Sequence, residues 1–323
     1  MIYPNKLNKD DLITIISPSD GIIKPKKINE LDKAIQYLEK EGYIVEEDKY
    51  VRNSEKGASS IAIRRAEELN RAISNKKAKA LIACSGGDYL IQILDFVDFS
   101  KIKKNIKWVQ GHSDITPLLY ILTTKYDIAT IYSFNVKAFG QLDLPDEMLQ
   151  NDINILKNTS IVQKEYGYKL DEIKKDSSWE CITKFKSVNG RIIGGCLDSL
   201  KDLVGTKYDK TKKFINKYKD DGIIWFFDVA EMTNEDILRT MWQFKQLGWF
   251  DYTKAILFGR LYEEKQYTGM NLEEVLLSTL KDLNIPIIIN VDIGHTDPKI
   301  TIVNGSIVTI TNKEKYEVKV EFK

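Results

Sequence analysis

The sequence predicts an α/β protein made of two units. Over the first 140 residues, short apolar runs typical of strands alternate with amphipathic stretches whose apolar residues recur every three or four positions. A second alternation of the same kind begins near residue 190. Strands that alternate with helices imply βαβ units, and therefore parallel sheets with right-handed crossovers.

In the first unit, strand and helix patterns follow one another with short turns between them. The helix predicted over 27–43 places Ile28, Leu31, Ile35 and Leu38 on one face, which indicates burial of that face against a sheet. The other predicted helices cover 59–75, 89–99 and 115–126. The predicted strands cover 12–19, 43–48, 78–85, 106–110 and 128–134.

The second unit shows the same alternation and ends in a different pattern. Its predicted strands cover 222–230, 254–261 and 286–292, and its predicted helices cover 234–250 and 271–283. Residues 299–312 consist of two apolar runs around Asn304 and Gly305, which predicts a β-hairpin. The polar, lysine-rich stretch between the units is predicted to be a linker with local helix. The predicted domains are therefore 1–142 and 190–323, joined by the linker 143–189.

Charge and cysteine content exclude several classes of function. Lys and Arg number 48 against 47 for Asp and Glu, a net charge of +1, so neither nucleic acid nor an anionic membrane is expected as a partner. No apolar run reaches the roughly 18 residues of a membrane helix, and the first residues lack a secretory signal pattern. The three cysteines form no Cys-x-x-Cys pair, which predicts a cytoplasmic protein without disulfides. With only two histidines as well, neither a metal site nor another cofactor is expected.

The segment GHSDIT, 111–116, places polar residues where a predicted strand ends and a predicted helix begins. A glycine, one residue and then a serine at such a turn resemble a nucleophile elbow, although Ile115 replaces the last glycine of the usual motif. The alternative is that Ser113 only caps the helix, because serine is favoured at that position. The local pattern leaves both interpretations open.

A serine nucleophile needs a base with a pKa near neutrality and a carboxylate to orient that base. His295 is the better candidate base, because His112 is the neighbour of Ser113 and adjacent side chains diverge on a tight turn. Asp228 ends a strongly apolar predicted strand and is the candidate acid, while its alternative role is to cap the helix that follows.

An oxyanion hole needs two backbone amides. The amide of Asp114 at a helix start is one candidate, and an amide of Gly86 or Gly87 in the SGGD turn is the other. The SGGD turn could instead cradle a phosphate, but no glycine-rich phosphate motif is present.

Five ordered motifs resemble the serine carboxypeptidase family that includes murein LD-carboxypeptidases and microcin C immunity proteins. The family carries a strand followed by a GG turn, then GYSDIT, GRLIGG, a strand ending in FLE, and GHTDP. This sequence has SGGDY, GHSDIT, GRIIGGCLDSLKDLVGT, WFFD and IGHTDPK in the same order, over residues 5–315. The segments GGCL and GHTDPK are more similar to the microcin-immunity branch.

The resemblance implies a Rossmann-like parallel-sheet N-terminal domain and a smaller α/β C-terminal domain, with the active site in the cleft between them in a homodimer. It implies that Ser113 is the nucleophile, that His295 is the general base and that Asp228 stands where the family has its glutamate. The amides of Asp114 and of Gly86 or Gly87 match the oxyanion hole.

Two departures from the family pattern bear on activity. Asp228 is one methylene shorter than glutamate, and a shortfall of about 1 Å can cost about a hundredfold in rate unless the backbone compensates or Glu231 contributes. His112 replaces the usual tyrosine beside the nucleophile. The alternative to an active enzyme is therefore a catalytically impaired homologue that only binds its ligand.

The implied function is hydrolysis of an amide bond in a small peptide or an aminoacyl-nucleotide-like substrate. A murein tetrapeptide in cell-wall recycling is the alternative substrate. His112, Trp179 and Glu231 are candidate substrate contacts. Trp179 would serve as an aromatic platform for a base, or else as a partly buried anchor for the linker.

Overall fold

The computed structural model describes residues 1–141, 143–169 and 177–323, and these form two compact α/β units. One unit comprises Met1–Ser160 with Thr301–Asn304, and the other comprises Ile161–Ile300 with Gly305–Lys323, so the two are of nearly equal length. The predicted α/β fold is confirmed. Residue 142, which ends the predicted first domain, and residues 170–176 of the predicted linker lie outside the described residues.

The first unit is built on a six-stranded sheet. Its strands are β1 (Leu12–Ile16), β2 (Ile44–Glu47), β3 (Ala78–Ala83), β4 (Trp108–Gly111), β5 (Thr130–Tyr132) and β12 (Ile302–Asn304), in the order β12-β5-β4-β3-β1-β2. All neighbouring pairs are parallel except β12 with β5. Every residue of β1 is buried, as expected for a parallel strand covered on both faces.

Helices of the first unit largely follow the sequence prediction. They are α1 (Pro25–Lys40), α2 (Ala62–Ser74), α3 (Thr116–Tyr126) and α4 (Asp146–Leu156). Helix α1 has a proline in its first turn, where the missing amide costs nothing, and it buries Leu31, Ala34 and Leu38. Helix α3 is buried almost all round, so it needs no polar face.

One predicted helix has a different form. Residues 89–99 were expected to be α-helical, but Leu90–Phe96 form a 3₁₀ helix. Leu90 and Ile93, three residues apart, are both buried, and a spacing of three places side chains directly above one another in a 3₁₀ helix.

The second unit is built on an eight-stranded mixed sheet. Its strands are β6 (Ile161–Lys164), β7 (Glu180–Cys181), β8 (Ser187–Cys196), β9 (Ile223–Asp228), β10 (Thr253–Gly259), β11 (Ile287–Val291), β13 (Ile307–Asn312) and β14 (Tyr316–Glu321), in the order β6-β14-β13-β8-β9-β10-β11-β7. The central strands β8 to β11 are parallel, and the outer pairs are antiparallel. The predicted linker therefore contributes α4 to the first unit and β6 and β7 to the second.

Strand β9 runs through an aromatic core. Its residues are all buried, and the Trp225 ring stacks on Trp249 at 5.7 Å between ring centroids. Phe227 packs against Phe258 at 5.3 Å. The helices of this unit are α5 (Leu197–Leu200), α6 (Thr211–Lys217), α7 (Asn234–Gln246) and α8 (Leu272–Leu280). This packing holds in place the strand that ends at Asp228.

The hairpin predicted around Asn304 and Gly305 is wrong. Strand β12 pairs with β5 in the first unit, whereas β13 pairs with β8 and β14 in the second. Gly305 has a φ of +86°, and its amide donates to the carbonyl of Ile192. An Asn-Gly pair specifies a sharp change of direction, but β12 and β13 pair with strands elsewhere in the chain and not with each other.

Within the three described ranges of the chain, every helix is too short or too polar to cross a bilayer.

Candidate active site

Ser113 lies on a strained turn between β4 and α3. His112 has an extended backbone, Ser113 has a φ of +65°, and Ser113–Ile115 form one 3₁₀ turn before the helix begins. A residue other than glycine in this left-handed region costs roughly 1–3 kcal/mol, and such strain is common at functional sites. A serine in this conformation after a strand is the geometry of a nucleophile elbow.

The helix-cap alternative for Ser113 does not describe this turn. Ile115 occupies the N-cap position of α3, and no side chain makes a cap hydrogen bond there. The backbone of Ser113 is instead held on both sides, because its amide donates to Tyr132 Oη at 3.3 Å and its carbonyl accepts from Thr116 Oγ1 at 2.7 Å.

The side chain of Asp114 ties the elbow to two neighbouring loops. It is only 3% exposed, and it accepts hydrogen bonds from Ser19 Oγ at 2.5 Å and from the Leu90 amide at 2.9 Å. Burial raises the pKa of Asp114, opposed by the hydrogen bond from Ser19. Ser19 follows β1 and Leu90 follows β3, so one carboxylate gathers three loops at the carboxyl edge of the sheet.

The SGGD turn lies beside the elbow, as the shared sheet edge predicts. A methyl group added to Gly86 would come within 3.1 Å of Ser113 Oγ, so the bare backbone of Gly86 passes close to that oxygen. Gly87 lies against Ser19 and Asp20 instead. Of the two glycines, Gly86 is therefore the one in direct proximity to Ser113.

In the second unit, Asp228 and His295 form a close pair. The Nδ1 atom of His295 lies 3.0 Å from Oδ1 and 2.9 Å from Oδ2 of Asp228. The Asp228 side chain is fully buried, whereas 23% of the His295 side chain is exposed. The short aspartate therefore reaches Nδ1 of the imidazole at hydrogen-bond distance, within the 2.6–3.2 Å range expected for an oriented imidazole.

Gly294 makes this contact geometrically possible. Its φ is +98°, and any side chain there would overlap the carboxylate of Asp228. The turn is also held by Lys299, whose Nζ donates to the Gly294 carbonyl at 2.6 Å. The backbone thus approaches Asp228 closely, which compensates for the methylene that a glutamate would have supplied.

The pair shifts the titration of the imidazole. Burial alone would lower the pKa of His295, but the charge of Asp228 and the hydrogen bond to it outweigh burial and raise that pKa above its ordinary value. Since Nδ1 faces Asp228, Nε2 is the nitrogen that remains for proton transfer.

Asp198 holds the loop that follows Asp228, a role that the sequence did not suggest. Its carboxylate accepts from the amides of Ala230 at 2.9 Å, Glu231 at 2.8 Å and Met232 at 3.1 Å. The available signal was the aspartate in GGCLDSL, two residues after Cys196.

Trp179 has the geometry of an anchor rather than of an open platform. Its side chain is 4% exposed, its ring stacks on Tyr316 at 5.5 Å, and its indole N–H donates to Asp292 at 2.9 Å. Asp292 also pairs with the buried guanidinium of Arg260. Burial raises the pKa of Asp292 to about 6, opposed by the charge of Arg260.

The other two candidate substrate contacts are placed differently. Glu231 is 83% exposed and forms an ion pair with Lys265 at 2.6 Å, which lowers the pKa of Glu231. Asp228, and not Glu231, is therefore the carboxylate that His295 contacts. His112 is half-buried, and its ring is nearly perpendicular to that of Tyr132 at 6.5 Å between centroids.

A serine on an elbow and an imidazole oriented by a buried carboxylate are the parts of a serine hydrolase. Two domain models match this chain: the LD-carboxypeptidase N-terminal domain over residues 13–133 and the LD-carboxypeptidase C-terminal domain over 189–310. Because these ranges together cover most of the sequence, the chain belongs to the LD-carboxypeptidase family, as its motifs predicted.

Relatives agree with this assignment. The chain is 28% identical over 315 residues to a Vibrio cholerae protein that is provisionally named a carboxypeptidase, covering 92% of this chain and 91% of the relative. It is 27% identical over 300 residues to the microcin C7 self-immunity protein MccF of Escherichia coli, covering 86% and 84%. The chain is thus a serine carboxypeptidase-type hydrolase.

Solved structures show the same fold. MccF in complex with aspartyl sulfamoyl adenosine matches with a TM-score of 0.83 at 21% identity, covering 100% of this chain and 99% of that one. A muramoyltetrapeptide carboxypeptidase from Oxalobacter formigenes matches with a TM-score of 0.77 at 23% identity, covering 96% and 99%. At these identities the likeness shows the fold alone.

The first prediction concerns the pKa of His295. Its raised value means that the imidazole becomes protonated, and useless as a base, at a higher pH than the ordinary 6.5. Asp228→Asn removes the charge that raises this pKa, so we expect the midpoint to move to lower pH. Proton NMR titration of the imidazole C–H signals measures it directly, and His112→Tyr assigns the two histidines by elimination. A midpoint that does not move in Asp228→Asn would contradict the electrostatic pairing.

The second prediction is that Asp228→Glu lowers the rate, although the family carries glutamate. The extra methylene has to fit where Gly294 and His295 already contact the aspartate, so it displaces the imidazole. A displacement of about 1 Å corresponds to a loss of about a hundredfold. The measurement is the rate of covalent labelling by a fluorophosphonate probe. Glu231→Asp, which shortens an exposed carboxylate nearby, is the matched control and should leave the rate unchanged. A faster Asp228→Glu variant would show that the aspartate is too short.

Proposed function

We propose that the protein hydrolyses an amide bond in a small aminoacyl-nucleotide-like substrate, with Ser113 as nucleophile, His295 as general base and Asp228 as the acid that orients the base. The observation that carries this proposal is the contact of 2.9–3.0 Å between His295 Nδ1 and the fully buried Asp228. A buried carboxylate on one ring nitrogen fixes the tautomer and leaves the other nitrogen as a proton acceptor. An impaired, binding-only homologue has no need to keep this pair assembled.

The proposed reaction follows from the atoms on each side chain. Ser113 Oγ attacks the amide carbonyl carbon while its proton moves to His295 Nε2. The imidazolium, stabilised by the charge of Asp228, then donates that proton to the leaving nitrogen, and the carbon–nitrogen bond breaks. A water molecule, deprotonated by the same Nε2, then attacks the acyl carbon. The bond from that carbon to Ser113 Oγ breaks, and the imidazolium returns the proton to Oγ.

The negative charge that develops on the carbonyl oxygen needs two donors. The amide of Asp114, at the start of the helical turn, and an amide of the SGGD turn beside Ser113 Oγ are the proposed oxyanion hole. The left-handed φ of Ser113 supports this assignment, because an elbow exposes the hydroxyl and the following amide at the same tip. Removing one such donor typically costs 10²–10³ in rate.

The proposed substrate class rests on the relatives. The E. coli relative is named for immunity to a microcin, and the MccF structure holds an aspartyl sulfamoyl adenosine, which is an aminoacyl-nucleotide analogue. The runner-up is a murein tetrapeptide, supported by the fold shared with a muramoyltetrapeptide carboxypeptidase. We assign no substrate contact to Trp179, because its indole is buried against Asp292 and Tyr316.

The third prediction tests the nucleophile and base without knowing the substrate. A fluorophosphonate should label Ser113, and Ser113→Ala should abolish labelling because the acceptor oxygen is gone. His295→Ala should slow labelling on the order of a thousandfold, as expected when the base of a triad is lost. His112→Tyr, the matched control at the other histidine, should remain within about tenfold. Unchanged labelling in His295→Ala, or collapse in His112→Tyr, would overturn the assignment of the base.

The fourth prediction separates the two substrate classes. Aspartyl and glutamyl sulfamoyl adenosines should be hydrolysed with a kcat/KM at least about tenfold above that of a murein tetrapeptide, a difference of about 1.4 kcal/mol in transition-state stabilisation. Product formation by mass spectrometry measures both, with Ser113→Ala as the blank. The opposite order would favour the murein carboxypeptidase.

A further inference from the structure

Cys196 brings a thiol into the immediate neighbourhood of the Asp228–His295 pair. Cys196 and Asp228 are register partners on the parallel strands β8 and β9, and both strands end at this point. The sulfur of Cys196, one Asp228 carboxylate oxygen and one His295 ring nitrogen all lie within 4.8 Å of one another. A thiol, a carboxylate and an imidazole from three different elements therefore converge on one small volume.

This donor set has a defined metal preference. Thiolate and imidazole ligands together suit Zn²⁺ and similar thiophilic divalent cations, whereas Mg²⁺ and Ca²⁺ take oxygen ligands. Three protein ligands that leave a fourth position open to water are the usual number at a non-structural zinc site. From the chemistry of these side chains, we propose that Cys196, Asp228 and His295 bind a thiophilic divalent cation such as Zn²⁺, and that the bound cation blocks proton transfer by His295.

The geometry explains why binding and catalysis exclude each other. Metal–ligand bonds of roughly 2.0–2.3 Å require the cation to insert between His295 and Asp228, which are now in direct hydrogen-bond contact. His295 is 23% exposed and lies on a turn, so it is the ligand that solvent can reach. Once its Nδ1 coordinates a cation, the imidazole can no longer donate to Asp228 the hydrogen bond that orients the ring. Only this inhibitory part rests on the proposed function.

Cys196 must lose its proton to bind the cation. Burial raises the pKa of the Cys196 thiol well above its ordinary value, and the charges of Asp228 and Asp198 raise it further. The thiol lies 3.6 Å from Asp198 Oδ2, which can accept its hydrogen. A cation next to the sulfur offsets this penalty, because a coordinating thiol is deprotonated outright.

The experiment uses the full chain after treatment with a chelator. Co²⁺ should bind at one equivalent and give a thiolate-to-cobalt charge-transfer band, and Zn²⁺ should displace it. Cys196→Ser should abolish the band and weaken Zn²⁺ binding at least about tenfold. Cys181→Ser is the matched control, because Cys181 is a half-buried thiol remote in sequence from the pair, and it should keep the band. Cys196→Ala and thermal unfolding of each variant check that lost binding is not lost folding.

A second readout tests the inhibitory part. Zn²⁺ at saturating concentration should slow fluorophosphonate labelling of the parent chain at least about tenfold, and Cys196→Ser should need at least about tenfold more Zn²⁺ for the same slowing. No band at one equivalent, or a band that follows Cys181, would overturn the metal site. Binding without slower labelling would overturn the inhibition. The band does not depend on hydrolysis, so failure of the metal site and failure of the proposed triad give different results.

Discussion

In the second unit, the contact between Asp228 and His295 depends on how closely the turn before His295 approaches the end of β9. Asp228 is fixed by an aromatic core in which Trp225 and Phe227 are fully buried, so the carboxylate cannot move towards the imidazole without disturbing that packing. Instead, the backbone at Gly294 lies close to Asp228, because Gly294 has a left-handed φ and no side chain to obstruct the contact. A fixed strand and a glycine without a side chain together let an aspartate reach the imidazole at hydrogen-bond distance.

Neighbouring groups likewise hold the turn at Ser113 in the first unit. Ser113 is strained, and strain persists only where the surroundings determine the backbone from several sides. Tyr132, Thr116 and the buried carboxylate of Asp114 supply those restraints, and Asp114 links the elbow to the loops after β1 and β3. The cost of the turn is thus offset by hydrogen bonds made elsewhere at the same sheet edge.

The sequence predicted the features that depend on local patterns and on the order of motifs. Period and length identified most strands and helices, and the sheet rule placed SGGD beside GHSDIT because both follow parallel strands. Strand partners were harder, because pairing is decided by residues far apart in the chain. Asn304 and Gly305 signalled a reversal, yet β12 and β13 joined different sheets. The contact between Asp228 and His295 could not be predicted from the local sequence either, since it depends on how closely the backbone of Gly294 approaches Asp228.

The close contact between Asp228 and His295 has a chemical consequence. Because Asp228 contacts His295 directly, the imidazole lies next to the ends of β8 and β9. The register of these two strands places Cys196 opposite Asp228. The compact geometry that orients the imidazole of His295 therefore also brings the sulfur of Cys196 within 4.8 Å of it. Burial raises the pKa of the Cys196 thiol and so favours its protonated form. A neutral thiol neither attacks carbonyls well nor competes for the proton on His295. Cys196, Asp228 and His295 thus become a ligand set only when a cation strong enough to remove the thiol proton is present.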